Sequence, residues 1–375
     1  MISQVLNFSN EKTFKLYKEK YNYSILLYHG LYGVEIRNIS PELLQPNSKA
    51  KTDNIYYNQD KLLLTGTIKT ILETAHSTNL NELINVEIIK AILNFEKCEI
   101  NKYEIGNRQF DFKFAYVMGI VNVTPDSFSD GGQYFVKDLA VNHALEMIDL
   151  GVDIIDIGGE STRPGSEPVS ELEEIQRVIP VISEILKRSP EAIISIDTTK
   201  AAVAREALKS GALIVNDISG GTFEPTIIDV VSEFNAVMIL MHIKGKPKTM
   251  QASPSYTEVV SEVYDHLANQ CVVASKNGIE KIIIDPGIGF GKRTEDNLHL
   301  IERLEDFKSL GYPILIGFSR KSFIGNILNL RVEDRDDATN AMNSFAISKG
   351  ARIIRTHNVK QAVQCCKLFN TMIKN

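Results

Sequence analysis

The sequence predicts an α/β fold: a (β/α)8 TIM barrel preceded by a small α+β N-terminal domain. Two observations predict the barrel. From about residue 98 onward, eight short apolar runs alternate with amphipathic helical stretches, the pattern of repeated strand–helix units. The apolar runs are continuous, as expected for strands that are buried on both faces of a parallel sheet. We therefore divide the chain into an N-terminal domain, residues 1–97, and a barrel domain, residues 98–375.

Residues 1–97 follow a different pattern. They are rich in Asn, Lys and Tyr, and polar stretches such as PNSKAKTDN separate their apolar clusters. Neither a Gly-rich phosphate loop nor a cluster of metal-ligand residues occurs in this part of the sequence. We interpret it as a structural or oligomerisation extension, whose role the sequence does not determine.

A predicted β-hairpin opens the barrel domain. CEINKYEIGNRQFDFKF alternates apolar and polar residues around Gly106-Asn107. The predicted strands that follow are YVMGIV (116–121), DIIDIG (153–158), AIISID (192–197), LIVND (213–217), AVMILM (236–241), KIIID (281–285), PILIG (313–317) and ARIIR (351–355). Helices fit between them. Ser170 with Glu173 forms a capping box, and Gly211 and Gly278 stand where C-terminal caps belong.

Composition and charge limit the function classes. The chain has 375 residues, is 43% hydrophobic and 23% charged, and carries a net charge of −6. This acidic balance argues against a nucleic-acid-binding surface but leaves room for an anionic small molecule in a basic cleft. We see no membrane-spanning apolar run and no signal peptide. The four cysteines form no CxxC pair, so we expect reduced thiols and a cytoplasmic location.

Polar residues follow the predicted strands, at the end where TIM-barrel enzymes place their active sites. They are Asn122, ESTRPG (160–165), Asp197, Asn216 with Asp217, His242, Asp285, Ser319 to Ser322, and Arg355 with His357. A structural alternative is that these residues cap helices and satisfy loop backbone. That alternative suits Thr198 and Thr199, but it explains Arg163 and Lys321 poorly.

One group of these residues suits a flat heterocycle. Asp197 and Asp285 are acceptors, and Asn216 offers both donors and an acceptor, which together match a guanidine-like ring edge. Lys321 can meet a ring carbonyl or nitrogen. Paired carboxylates also serve general acid–base catalysis or metal binding, so these residues alone leave three interpretations open.

A second group suits a phosphate. Arg355, His357 and Asn122 belong to the last and first strands, which are neighbours in a closed barrel. Two donors with one amide oxygen favour a phosphate or pyrophosphate that is bound with Mg²⁺. We treat His242 as structural. The glycines of DPGIGFGK (285–292) are more typical of a tight loop that presents Asp285 and Phe290 than of a phosphate site.

Several motifs, in order, resemble those of the dihydropteroate synthase family. They are MGIVNVTPDSFSDGG, IDIGGESTRPG, SIDT, VNDISG, MHIKGKPKTMQ, DPGIGFGK, GFSRKS and RTHNV, and the match covers roughly residues 98–375. The resemblance implies an enzyme of folate biosynthesis that joins 6-hydroxymethyl-7,8-dihydropterin pyrophosphate to 4-aminobenzoate, giving 7,8-dihydropteroate and pyrophosphate. It also implies a target of sulfonamides, which imitate aminobenzoate.

The resemblance assigns roles to individual residues. Those implied to hold the pterin are Asp197, Asn216, Asp285, Lys321 and Arg355. Those implied to hold the pyrophosphate are Asn122, as the Mg²⁺ ligand, with Arg355 and His357. Those implied to surround the aminobenzoate are Phe128, Thr162, Arg163, Pro164, Phe290 and Ser322. The expected catalytic residues are Asp197, Lys321, Arg355 and His357.

The chemistry of the implied substrates favours an SN1-like displacement. Pyrophosphate leaves readily once its charge is neutralised, and the dihydropterin stabilises a cation at its methylene carbon. We expect Asp197 to stabilise that cation and closure of the loops at 124–132 and 160–165 to exclude water. The resemblance further suggests a homodimer.

The chain departs from the family pattern at one position, and two other functions are alternatives to the synthase. Family members usually carry an Asp where this chain has Asn358, and we expect little effect because Asn also caps helices well. A barrel methyltransferase that shares the pterin pocket would not need SFSDGG, STRPG or SRKS. A non-catalytic pterin-binding or scaffold protein would be expected to lose Asn122, Arg163 or Lys321.

Overall fold

The computed structural model describes residues 1–21, 31–43, 54–77, 80–98, 101–124, 133–162 and 165–374. The chain divides into two compact units. The first contains Met1–Ile100 together with Arg303–Tyr312, and the second contains Asn101–Glu302 together with Pro313–Asn375.

The first unit is a small α+β fold, as predicted. Its elements are β1 (Ile2–Asn7), α1 (Glu11–Tyr21), β2 (Tyr32–Arg37), β3 (Ile55–Asn58), β4 (Lys61–Gly66), α2 (Ile68–Ser77), α3 (Glu82–Lys97) and a 3₁₀ helix (Leu304–Leu310). The described strands form one antiparallel sheet in the order β1-β2-β4-β3. One cluster, including Val34, Leu62 and Ile88, buries one set of strand side chains against α2 and α3. A second, including Phe8, Tyr17 and Leu63, buries another set against α1.

The segment 303–312 is an integral part of this unit, although it is distant in sequence. Leu304 and Phe307 are fully buried. The amide of Val5 donates to Ser309 Oγ at 3.2 Å, and Cys98 Sγ donates to the carbonyl of Tyr312 at 3.2 Å. The N-terminal unit therefore takes part of its core from the chain between the sixth and seventh barrel strands.

A buried carboxylate lies inside the N-terminal unit. Glu35 accepts hydrogen bonds at Oε1 from Lys20 Nζ (2.6 Å) and Tyr21 OH (2.7 Å). Its Oε2 accepts from Arg37 Nη1 (2.5 Å) and Tyr17 OH (3.2 Å). Burial alone would raise the pKa of Glu35, but Arg37 and Lys20 lower it to about 2. This charge is fully paired.

The second unit is a closed barrel of parallel strands, as predicted, in the order β10-β11-β12-β13-β14-β7-β8-β9. Its strands are β5 (Lys102–Ile105), β6 (Arg108–Asp111), β7 (Tyr116–Asn122), β8 (Ile154–Gly158), β9 (Ile194–Asp197), β10 (Ile214–Asp217), β11 (Val237–Met241), β12 (Ile282–Asp285), β13 (Ile314–Ile316) and β14 (Ala351–Thr356). Its helices are α4 (Gln133–Asp149), α5 (Glu171–Arg188), α6 (Ala201–Lys209), α7 (Thr226–Glu233), α8 (Val259–Lys276), α9 (Thr294–Glu302), α10 (Ser322–Leu328), α11 (Asp336–Ser348) and α12 (Val359–Lys374). A short 3₁₀ helix, Val332–Asp334, precedes α11.

Local signals in the sequence correspond to these elements. Strands β5 and β6 form the predicted hairpin, with Gly106 at φ +62° in its turn. Ser170 caps α5 by accepting from the amide of Glu173. Gly211 and Gly278 have φ of +104° and +87° just beyond α6 and α8, a backbone conformation that glycine adopts without strain.

The hairpin closes one end of the barrel. Phe110 and Phe112 are fully buried and belong to one cluster with strand residues such as Met118, Ile239 and Ile353. This plug fills the barrel end where the strands begin. The opposite end, where the strands finish, is the one that carries polar side chains.

Candidate active site

Polar side chains from neighbouring strands meet at the C-terminal edge of the barrel. Asn122 ends β7, Asp197 ends β9 and Asp285 ends β12. In the strand register, Gly158 pairs with both Asn122 and Asp197, and Asp197 also pairs with Asn216. The structure therefore places the predicted strand-end residues on one rim.

Arg355 joins two carboxylates at this rim. Its Nε lies 2.6 Å from Asp156 Oδ2, and its Nη2 lies 2.6 Å from Asp197 Oδ2. Asn216 Nδ2 donates to the same Asp156 oxygen at 3.0 Å. Arg355, Asp197 and Asn216 thus form one hydrogen-bonded cluster, centred on a residue that our sequence analysis did not single out.

Asp156 is that missed residue. It lies inside β8 rather than at its end, it is fully buried, and its Oδ1 has no hydrogen-bond partner among the described residues. A carboxylate within an otherwise apolar strand was the available signal, because buried charges are rarely found without a partner.

The cluster contains two carboxylates, Asp156 and Asp197, which share the single guanidinium of Arg355. Burial raises the pKa of Asp197, Arg355 lowers it in part, and the charge of Asp156 raises it again. Burial opposes the charge of Arg355, but Asp156 and Asp197 more than compensate and raise its pKa. Burial also raises the pKa of Asp285, whose Oδ1 accepts from the amide of Gly287 at 2.7 Å. Among the described residues, the rim therefore leaves one buried carboxylate oxygen, Asp156 Oδ1, without a donor.

Lys321 and Phe290 form a second part of the site. The Lys321 ammonium lies 3.8 Å from the centre of the Phe290 ring, a cation–π contact. Burial and the charge of Arg355 lower the pKa of Lys321 to about 8, against the opposing effects of Asp285 and Asp197. The aromatic ring predicted to be presented by the DPGIGFGK loop therefore meets the predicted pterin lysine.

The DPGIGFGK loop is held by a buried lysine that the sequence analysis also missed. Lys292 Nζ donates to the carbonyls of Gly287 (2.8 Å) and Phe290 (3.1 Å), and it lies 2.9 Å from His242 Nδ1. At Gly287, φ is +70° and a side chain would place its Cβ 1.9 Å from the carbonyl oxygen of His242. His242 is buried inside this arrangement, which agrees with the structural role that we expected.

His357 is oriented by the SRKS loop. Its Nδ1 lies 2.9 Å from Ser319 Oγ, which also accepts from the His357 amide at 3.2 Å. Asn358 caps α12, since its Oδ1 accepts from the amide of Gln361 at 3.3 Å. Ser322 begins α10 and is exposed.

The start of the ESTRPG loop is anchored by an ion triad. Lys200 Nζ donates to Glu160 in the loop and lies 2.5 Å from the buried Glu174 on α5. Thr162, two residues after Glu160, is half-buried. The other predicted aminobenzoate residues, Phe128, Arg163 and Pro164, lie outside the described residues.

The metal that the sequence resemblance implies would depend on few protein ligands. No group of three or more His, Cys, Asp or Glu side chains that could hold a metal occurs in the described ranges. Mg²⁺ commonly uses one or two protein oxygens, with water and substrate phosphates as its other ligands. The Asn122 amide, half-buried at the end of β7, fits that mode.

Sequence comparisons decide the family. A family model described as "Pterin binding enzyme" matches residues 118–357. Dihydropteroate synthases of Synechocystis sp. and Bacillus subtilis are 47% and 48% identical over 272 and 259 residues. These alignments cover 72% and 68% of this chain, and 94% and 88% of those proteins.

The chain belongs to the dihydropteroate synthase family.

Solved structures of the family agree. A Yersinia pestis dihydropteroate synthase in a sulfonamide drug complex matches with a TM-score of 0.69 and 38% identity, over 73% of this chain and 100% of that one. A Xanthomonas albilineans dihydropteroate synthase in complex with 7,8-dihydropteroate matches with a TM-score of 0.66 and 35% identity, with the same coverage. The predicted family, fold and transferase activity in folate biosynthesis are confirmed. In the part of the chain that the structure describes, no helix has the length and apolarity that crossing a membrane requires.

Proposed function

We propose that the rim of this barrel binds 6-hydroxymethyl-7,8-dihydropterin pyrophosphate and transfers its pterinylmethyl group to the amine of 4-aminobenzoate, with pyrophosphate as the leaving group. The observation that carries this proposal is the cluster of Arg355, Asp156, Asp197 and Asn216 beside Asp285 and Lys321. A dihydropterin offers several ring N–H donors and a ring carbonyl. The buried acceptors of the cluster match the ring N–H donors, and the Lys321 ammonium matches the ring carbonyl.

We assign the pterin to the acceptors of the cluster. The Asp285 carboxylate accepts from the ring edge, the Asn216 amide accepts from it or donates to it, and Lys321 meets the ring carbonyl or nitrogen. The unpartnered Oδ1 of Asp156 supports this assignment, because a buried acceptor without a partner costs free energy until a donor reaches it. A heterocycle that lacks these ring donors should bind poorly, because the buried acceptors of the site would stay unpaired.

The leaving pyrophosphate is assigned to Arg355 and His357. Arg355 lies near the end of β14 and His357 directly after it. Cationic or donor groups at this place would neutralise the negative charge that grows on the leaving oxygen. When bound, Mg²⁺ would neutralise part of that charge, and Asn122 would hold it together with substrate oxygens and water. Ser319 keeps the ring of His357 in place.

The displacement is SN1-like in this proposal. The bond between the methylene carbon and the pyrophosphate oxygen breaks, and its electron pair leaves with the oxygen. The pterin ring spreads the positive charge of the methylene, and the Asp197 carboxylate stabilises it. The aryl amine then donates its lone pair to form the new C–N bond and loses a proton.

The aminobenzoate pocket is assigned to Phe290, Ser322 and Thr162, with Phe128, Arg163 and Pro164 as predicted members. Phe290 supports it because its ring lies against Lys321 while the buried Lys292 donates to its backbone carbonyl. Ser322 supports it because it is exposed directly after Lys321. Aminobenzoate would then lie against the aromatic ring, with its carboxylate near the start of α10.

A homodimer is part of the proposal. Two exposed apolar side chains on α12, Leu368 and Met372, are each 71% exposed, and Phe345 on the neighbouring α11 is 42% exposed. A second copy of the chain would bury such a patch. We expect light scattering to give the mass of a dimer and Leu368→Asp to shift it to the monomer. A cytoplasmic location and the role of residues 1–97 stay predictions.

The test is pyrophosphate release by the purified protein, given the pterin pyrophosphate and Mg²⁺, with and without 4-aminobenzoate. We expect release that depends on aminobenzoate and is inhibited by a sulfonamide. Binding of the pterin without release would instead favour a non-catalytic pterin-binding protein. Methyl transfer from a methylated tetrahydropterin would favour the methyltransferase alternative.

A further inference from the structure

Arg335, in the turn before α11, donates hydrogen bonds to backbone carbonyls of the preceding segment 320–330. Its Nη1 donates to the carbonyls of Arg320 (3.0 Å) and Lys321 (3.4 Å). Its Nε and Nη2 both donate to the carbonyl of Leu330, at 3.2 and 3.0 Å. One half-buried guanidinium thus connects the two ends of the segment 320–330, which contains the whole of α10.

Gly325 in α10 makes room for this guanidinium. A Cβ at this position would lie 2.2 Å from Arg335 Nη2, 2.4 Å from Cζ and 2.5 Å from Nε. All three nearest neighbours of that Cβ are therefore atoms of the Arg335 guanidinium. An alanine here would therefore displace the flexible side chain of Arg335, and with it the hydrogen bonds to the segment.

The backbone is left-handed at both ends of α10. Arg320 and Asn329 have φ of +59° and +53°, a conformation that asparagine tolerates at a helix C-cap but that arginine adopts rarely. The carbonyls that Arg335 holds belong to Arg320 and Lys321 at one end and to Leu330 at the other. These are the positions where the chain enters and leaves α10.

We propose that Arg335 is a positioning residue, seated on Gly325, that holds Lys321 and Ser322 in the orientation needed to receive the substrates. Arg335 touches neither substrate in this account; it acts through the backbone of Lys321. The inference depends on the proposed function, because that function gives Lys321 and Ser322 their roles. A purely structural Arg335 would change stability and leave the Michaelis constants unchanged.

The experiment compares Arg335→Met, Gly325→Ala, the double variant and Arg331→Met. Arg331 is the matched control, because it lies four residues away and pairs with the exposed Glu333 and Asp334. For each protein, kcat, both KM values and the thermal midpoint are measured. Hydrogen exchange of the 320–330 amides is measured without substrate, so it reports the restraint independently of activity.

We expect Arg335→Met and Gly325→Ala each to raise the KM for 4-aminobenzoate about tenfold, since small misplacements of binding groups have large kinetic effects. Both variants should speed hydrogen exchange of the 320–330 amides. The Arg331→Met control should match the wild type in KM and in exchange. The double variant should equal Arg335→Met within about twofold, because the alanine then has no guanidinium to displace. In that background the alanine should raise the thermal midpoint, as alanine does in ordinary helices.

Two results would overturn the proposal. One is a Gly325→Ala protein with wild-type KM and wild-type exchange. The other is a double variant whose losses multiply, which would mean that the two residues act separately. If the wild type releases no pyrophosphate, the proposed function fails, and the exchange measurement alone still decides whether Arg335 restrains the segment.

Discussion

Two buried carboxylate clusters in this protein contrast with each other. In the N-terminal unit, Glu35 receives hydrogen bonds from four donors, and its pKa is lowered to about 2. At the barrel rim, Asp156 and Asp197 share one guanidinium, one Asp156 oxygen has no described partner, and the pKa of Asp197 is raised. The first cluster is complete without a ligand. In the proposed function, the second is completed by donors of the ligand, and this would be the physical difference between a structural and a functional buried charge.

Removing Arg355 should have the largest effect of any single change at the rim. Arg355→Met leaves two buried carboxylates without their cation and the pyrophosphate without a partner. We expect kcat/KM to fall by about 10³-fold or more, since losing one preorganised charge partner costs this much in other enzymes. Steady-state kinetics of pyrophosphate release measure it. A loss below tenfold would contradict the assigned role.

Asp197→Asn and Glu35→Gln should separate activity from stability. We expect Asp197→Asn to lower kcat by about 10²-fold without loss of stability, because it relieves two carboxylates that compete for one cation. Glu35→Gln should lower the free energy of unfolding by about 3 kcal/mol, because it leaves buried cations without their partner. Its kcat per folded molecule should stay unchanged. Denaturation and kinetics of both proteins check this, and a stable Glu35→Gln protein would contradict the comparison.

The two clusters should also respond to pH in opposite directions. Because the folded pKa of Glu35 is lowered to about 2, its contribution to stability is present above the unfolded pKa of about 4.3 and is lost as the pH falls toward 2. The raised pKa of Asp197 instead favours the folded, ligand-free protein at low pH, and this contribution is lost as the pH rises.

The same shifts predict the pH profile of kcat/KM. Activity needs Asp197 ionised and Lys321 protonated, so we expect an acid limb well above the ordinary aspartate range and an alkaline limb near pH 8. Lys321→Arg should move the alkaline limb upward, since arginine stays charged. A flat profile from pH 5 to pH 10 would contradict these roles, as about five decades of proton concentration would then leave both groups unaffected.

Asn358→Asp should have the smallest effect. Aspartate also caps helices, so the bond to the Gln361 amide is kept. Asn358 Nδ2 donates to Asp336 Oδ2 at 3.1 Å, and a carboxylate there would lose this bond and face a like charge. We expect less than about 1 kcal/mol of destabilisation and kcat within about twofold of the wild type. A large change would show that this position acts on the site directly.

The sequence predicted the residues that end strands better than those that support them. The sequence singled out Asp197, Asn216, Asp285 and Arg355 because each is a polar residue at or near the end of a continuous apolar run. Asp156 was missed because it lies within its strand, so only the folded barrel shows that it faces Arg355. Lys292 and Arg335 were missed because most of their partners are backbone carbonyls, which no side-chain pattern reveals.

The same reasoning applies to the fold. Eight continuous apolar runs with helices between them predicted the closed barrel, because strands buried on both faces belong to helix-covered parallel sheets and a TIM barrel is built from eight such strand–helix units. The inclusion of 303–312 in the N-terminal unit had no local signal. Leu304 and Phe307 are ordinary apolar helix residues in the sequence, and the surface that buries them is distant along the chain.

We propose that the rim cluster is an incomplete network of charges and hydrogen bonds, which the bound pterin completes. The most direct measurement is the rise in thermal midpoint that a non-reactive pterin produces in wild type, Asp197→Asn and Glu35→Gln. A ligand that binds only the folded state raises the midpoint in proportion to its affinity. We predict a clear rise in the wild type and in Glu35→Gln, and little or none in Asp197→Asn. An equal rise in all three proteins would contradict the account.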